Sequence, residues 1–152
     1  MTKLFLQKES IQPRLDGIQQ NLVYLRTVAR LPLQAFSKPE VIERVHHNLR
    51  LILEGVFNIT AHILSRMPGS REAEYKAMAK KLGELGVVDI DFANQKLVKM
   101  AGYRNRLTHF YASVDAEELY MITNNNLDDV EAFLGYIKKL LENPEKFGLQ
   151  VG

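Results

Sequence analysis

The sequence predicts an all-α fold, an antiparallel bundle of four to six helices, and three observations carry that prediction. Apolar residues recur in steps of three and four through most of the chain. No segment shows the two-residue alternation of a half-buried strand. Helix-starting and helix-stopping residues punctuate the chain at helix-length intervals, with no internal repeat or low-complexity linker between them. With 152 residues, 46% of them hydrophobic and 25% charged, the chain suits one domain with a real core. That single domain is expected to span residues 1–152, with 1–10 and 143–152 peripheral.

The first helix carries Leu15, Ile18, Leu22, Leu25 and Ala29 and stops before Pro32. Pro13 fits its first turn, so the residues before Ser10 are expected to form a short separate piece. After Pro39, the residues Ile42, Val45, Leu49, Ile52, Val56, Ile59 and Ile63 share one helix face. Leu53, Phe57 and Leu64 widen that stripe, as in a central helix contacted from two sides. Ser37 and Glu40 have capping-box spacing, Pro39 suits the first turn, and Pro68 with Gly69 marks the end. Ser70 is placed to cap a third helix through Tyr75, Met78, Leu82 and Leu85, with Gly86 as its stop. Asp91 is placed to cap a fourth through Phe92, Leu97, Met100 and Leu107. Asp115 can cap a fifth, which residues 124–126 interrupt or recap before Leu127, Val130, Leu134, Ile137 and Leu141. Asn143 and Pro144 end it.

Composition removes several function classes. The absence of cysteine excludes disulfides, thiol catalysis and Cys-ligated zinc or iron–sulfur sites. No window approaches the roughly 18 consecutive apolar residues of a membrane-spanning helix. Residues 1–9 lack the apolar stretch of a signal peptide, so a soluble, cytoplasmic protein with no membrane partner is expected. A net charge of +2 is too small to argue for nucleic acid by itself. Its distribution says more: residues 92–114 contain no acidic residue but carry Lys96, Lys99, Arg104 and Arg106, and outside that window acidic residues outnumber basic ones by two. The window points to an anionic partner or to a helix with a basic solvated face. Lys96 and Lys99 could steer such a partner.

The fourth helix runs into Met100-Ala101-Gly102-Tyr103-Arg104-Asn105-Arg106-Leu107-Thr108-His109-Phe110-Tyr111. One possible apolar seam, Leu97, Met100, 104, Leu107, 111, places Arg104 and Tyr111 on a packed face. The other, Met100, Tyr103, Leu107, Phe110, leaves Arg104 at the core's edge, and spacing does not choose between them. A guanidinium in an apolar seam is either a structural ion-pair partner or a site residue. His109 lies four residues after Asn105, a natural pair, but five after Arg104, about 140° around an ideal helix. Arg104 and His109 therefore line one cleft only if the helix borders it on more than one side or unwinds near His109. Such residues suit phosphodiester cleavage without a metal: histidine moves a proton and arginine holds the charged phosphorus centre. Asparagine can orient the imidazole or phosphate, and tyrosine can donate a hydrogen bond or stack on a base.

This stretch resembles the signature of HEPN-domain proteins, with their Arg-Asn pair and the Arg-x4-His-x-Tyr spacing of the HepT-like branch. The likeness extends over about residues 14–142 through the helix order, the Leu-Gly-Glu-Leu-Gly-Val-Val segment and the Ser113-Val114-Asp115 run. The resemblance implies a HEPN-like helical fold and a metal-independent ribonuclease, the toxin of a toxin–antitoxin pair. It implies that Arg104 and His109 are catalytic, that Asn105 and Tyr111 support them, and that Tyr111 is the hydroxyl a partner enzyme adenylylates. That partner would be an antitoxin, a minimal nucleotidyltransferase of the MNT type. It also implies a homodimer in which two motifs face one RNA-binding cleft, supplying a second proton-transfer group. No cofactor and no metal is expected. The competing expectation is a noncatalytic HEPN module that binds a nucleotide or presents substrate to a nucleotidyltransferase; a third is a helical interaction protein with no small ligand.

Glu54, Asn58 and His62 recur in steps of four on the central helix, either lining the same cleft or simply solvated or satisfied in place. His46 and His47 are adjacent and lack the four-residue spacing of a two-histidine metal site. Gly83 and Gly86 form no phosphate loop and are read as helix termination.

Overall fold

The computed structural model describes residues 5–109 and 113–152, and the fold is all-α. Six helices of ten residues or more occur among the described residues: α1 (Lys8–Ala29), α3 (Pro39–Ser65), α4 (Tyr75–Glu84), α6 (Val98–His109), α7 (Ala116–Asn125) and α8 (Leu127–Glu142). Two short pieces, α2 (Leu33–Phe36) and α5 (Ile90–Phe92), complete the set. The widened stripe of α3 is buried from Val45 to Leu64, and α1, α4, α6 and α7 pack around it. α1 and α3, joined by a short connection, form the antiparallel pair that opens the bundle.

Several boundaries differ from the sequence expectation, each for a local reason. Pro13 sits inside α1, which begins at Lys8. Ile11 and Leu6 are fully buried, and β1 (Phe5–Leu6) pairs in parallel with β2 (Gln150–Val151), so tertiary anchoring outweighs the proline's lost hydrogen bond. This two-strand pairing was not foreseen because two residues are too few to show alternation. Ser37 does not cap α3: its hydroxyl donates to the Leu33 carbonyl at 2.7 Å, closing the short α2, while Lys38 holds the cap position without a side-chain bond. Pro39 does stand at the start of α3. Ser70 is buried away from α4, which starts at Tyr75, where the tyrosine ring meets Phe57.

Asp89, not Asp91, caps the helix before the motif, accepting from the Asp91 and Phe92 amides at 3.1 and 3.4 Å. The helix then runs unbroken through a wider, π-type segment at Ala93–Leu97 into α6. A Cβ at Gly83 would lie only 2.6 Å from the Ala93 Cβ, so α4 and this segment touch where glycine permits it. Gly86, at φ +74°, ends α4 as predicted. Asp115 caps α7 by accepting from the Glu118 amide at 2.9 Å, and Asn126 separates α7 from α8.

Candidate active site

The described part of the motif, Met100 to His109, lies on α6. Met100 and Leu107, common to both predicted seams, are buried, as are Leu97 and Ala101. Tyr103 and Arg104 are both half-buried and flank this line, so each seam is half right. Phe110 and Tyr111, the seams' last members, lie outside the described residues.

Arg104 stacks on an aromatic ring that the sequence did not single out. Its guanidinium carbon lies 4.4 Å from the centroid of Tyr75, at the start of α4. Tyr75 in turn packs on the buried Phe57 of α3, centroids 5.3 Å apart. A column therefore runs from the core through Tyr75 to the arginine. The Arg104 Nε is buried and has no hydrogen-bond partner among the described residues, so the ring holds the cation without neutralising it.

Arg106, two residues on, is held by charge instead. Its two terminal nitrogens donate to Glu118 Oε2 and Oε1 at 2.7 and 2.8 Å, and one also donates to the Ser113 carbonyl at 3.0 Å. The Tyr103 hydroxyl donates to Glu118 Oε2 at 2.8 Å. Hydrogen bonding from Arg106 holds the Glu118 carboxyl below its usual range, and burial, with Glu118 beside it, pushes the Tyr103 hydroxyl up. This fork joins α6 to α7 across residues 110–112. In the sequence Arg106 reads as one more variable motif position, and only the approach of α7 reveals its partner.

α6 stays helical through His109, which is exposed at its last residue. Helix geometry therefore keeps Arg104 and His109 about 140° apart, while Asn105 and His109 share a face. Within one chain the two expected catalytic residues do not converge. The basic window is also less basic than it reads: Glu118 pairs with Arg106, and Asp129 lies 3.9 Å from Lys96.

The polar residues of the central helix go to separate tasks. Glu54 lies 3.8 Å from Arg50, Asn58 is exposed, and His62 Nε2 accepts a hydrogen bond from the Gln7 amide at 3.1 Å. Among the described residues no three His, Asp or Glu side chains gather as a metal site, and no helix is long and apolar enough to cross a membrane.

Comparison with known proteins gives the chain a family. The family described as ribonuclease HepT-like matches residues 18–137. A curated relative, the tRNA nuclease HepT of Aphanizomenon flos-aquae (strain 2012/KM1/D3), is 25% identical over 135 residues, which cover 86% of this chain and 89% of the relative. The fold is shared with a toxin–antitoxin crystallised with AMP-PNP (TM-score 0.73, 20% identity, 84% of this chain and 95% of that one). It is shared also with the cytosolic protein YutE of Bacillus subtilis (TM-score 0.77, 19% identity, 93% and 94%). A tyrosine-to-alanine mutant of the toxin–antitoxin MntA–HpeT is similar too (TM-score 0.74, 18% identity, 86% and 98%). The chain belongs to the HepT-like ribonuclease family.

Proposed function

We propose that the protein is the ribonuclease toxin of a toxin–antitoxin pair and cleaves RNA without a metal ion, in a cleft formed between two copies of the chain. Family membership and the tRNA nuclease relative support the ribonuclease, and the likeness to toxin–antitoxin structures supports the toxin role. The observation that carries the two-copy cleft is the divergence of Arg104 and His109 on a helix that does not unwind. One chain offers a half-site, and a two-fold axis beside the exposed end of α6 would complete it.

In that cleft His109 takes the proton of the RNA 2′-hydroxyl as its oxygen bonds to the adjacent phosphorus. The bond from phosphorus to the 5′-oxygen breaks, and His109 of the second copy protonates that leaving oxygen. Arg104 stabilises the charge that gathers on the phosphoryl oxygens, and Asn105, on the face of His109, orients the imidazole. The products are a 2′,3′-cyclic phosphate and a 5′-hydroxyl. Tyr111 supports the site and, when adenylylated by an MNT-type nucleotidyltransferase antitoxin, silences it. The setting is the cytoplasm.

The test is RNA cleavage in EDTA by the purified protein, by His109→Ala and Arg104→Ala, and by the two variants co-expressed. Cyclic-phosphate ends and loss in each variant are expected, and the mixed dimer, left with one His109 and one Arg104, should stay well below the parent. Full activity in His109→Ala would overturn the chemistry. No cleavage by protein shown by intact mass to carry no adenylyl group would favour a noncatalytic binding module.

A further inference from the structure

A cleft of about 500 Å³ opens beside the last turn of α6, between that turn, the N-terminal half of α3 and the start of α7. Its apolar lining includes Leu107, Val114 and Leu119, and its polar groups are Glu43, His46, Arg50 and Thr108. None of these belongs to the catalytic set proposed above. Thr108 follows Arg104 by one turn on the same side of α6, so the cleft lies toward the Arg104 side of that helix. Its volume lies within the range of small-ligand sites, about 300–1,000 Å³.

The polar groups are arranged by charge along the cleft. His46 and Arg50 are one turn apart on α3, and Glu43 stands exposed about 10 Å along the axis from Arg50. The Arg50 Nε and Thr108 Oγ1 are buried without a hydrogen-bond partner among the described residues. Glu54 pairs with that Nε at 3.8 Å, beyond hydrogen-bonding length, so it offsets part of the Arg50 charge without satisfying the N–H. Burial, with Arg50 and His47 nearby, lowers the His46 pKa, so its uncharged form is favoured. A ligand that fits has one anionic group, neighbouring hydroxyl or amide functions and a flat apolar body. A nucleotide has all three.

We propose that this cleft is a subsite for an RNA nucleotide next to the scissile phosphate: Arg50 holds its phosphate, Thr108 hydrogen-bonds its sugar or base, and the base lies on the apolar floor toward Glu43. The Glu43 carboxylate keeps a second phosphate from that end, which fixes the direction in which the nucleotide lies. The proposal rests on the ribonuclease reading for the identity of its ligand, and its test separates the two.

The probe is a 2′-fluoro RNA oligonucleotide, which lacks the attacking hydroxyl, with binding followed by fluorescence anisotropy alongside cleavage kinetics on the matching RNA. Arg50→Gln is expected to weaken binding and raise KM by about tenfold, the scale of one charge-assisted bond to phosphate, with kcat within about twofold and an unchanged melting temperature. Thr108→Val, which keeps the side-chain shape, should lose about threefold in binding. Lys138→Gln, on the solvent face of α8, is the control for general electrostatics. Unchanged binding and KM in Arg50→Gln, or an equal loss in Lys138→Gln, would overturn the subsite. If no RNA is cleaved but the 2′-fluoro oligonucleotide still binds through Arg50, the ribonuclease reading fails and the subsite stands.

Discussion

Residues 90–101 and 103–109 belong to one continuous helix, yet different kinds of contact hold them. The first half is fixed by close packing: Ala93, Leu97 and Ala101 are fully buried, and Gly83 lets α4 approach Ala93 directly. In the second half only Leu107 is buried, and direction comes from the Tyr75 ring under Arg104 and the Glu118 carboxylate under Arg106. Packing tolerates no charge but sets the backbone firmly. Stacking and ion pairing leave polar groups at the surface while restricting where they point. A helix that must be both scaffold and site divides the two tasks along its length.

The sharpest way to break this contrast is to strike each half once. Leu97→Ala should lower stability by about 2–5 kcal/mol, the cost of a buried leucine and its cavity, with little change in rate per folded molecule. His109→Ala should lower cleavage by about 10²–10⁴, the contribution of a general acid or base, without moving the melting temperature. Thermal melts and single-turnover cleavage on both proteins decide it. A His109→Ala protein that melts far below its parent would make the second half structural too.

Within the packed half, Gly83→Ala should destabilise by about 1–3 kcal/mol, because the new Cβ meets the Ala93 Cβ at 2.6 Å and two helix backbones must part. On an exposed helix the same change stabilises by about 1 kcal/mol. Urea unfolding gives the sign directly, and a more stable variant would mean that the contact is not tight. In the polar half, Tyr75→Leu removes a cation–π contact worth about 0.5–2 kcal/mol and should slow cleavage by roughly 3- to 30-fold. Tyr75→Phe, which keeps the ring, should stay within about twofold of the parent. Equal rates in all three proteins would show that the stack does not position Arg104.

The two halves were also unequally legible. The stripe of α3, the Asp115 cap, the Gly86 stop and the break near Asn126 could be read because each depends on neighbours a few residues away. The motif residues could be named from their order and spacing. The supports of the site could not. Tyr75 precedes Arg104 by 29 residues and Glu118 follows Arg106 by 12, and in both pairs the helices must pack before the side chains meet. Pro13 misled for the same reason, since a local preference yielded to the burial of Leu6 and Ile11.

The smallest expected effect concerns pH and separates the anchoring of Gln7 on His62 from the site. His62 accepts from the Gln7 amide through Nε2, so that nitrogen carries no proton in the folded chain. Burial, then Arg66 and Arg14, lowers its pKa from 6.5, and His46 is lowered in the same direction by burial, Arg50 and His47. The folded state thus prefers both imidazoles neutral, and the unfolded chain takes up protons first as pH falls. The stability these groups contribute is complete above about pH 6.5 and is lost as pH falls through their folded values. Glu118 also has a lowered pKa, through its bonds from Arg106, but from the carboxylate value of 4.5, so its contribution is lost in a separate, more acidic step. Melting temperature against pH should therefore fall in two stages. His62→Gln, whose amide can still accept from Gln7, should flatten part of the upper stage, and Glu118→Gln should remove the lower one. A profile in which His62→Gln changes only the lower stage would assign the near-neutral dependence to other groups and detach the Gln7–His62 contact from it.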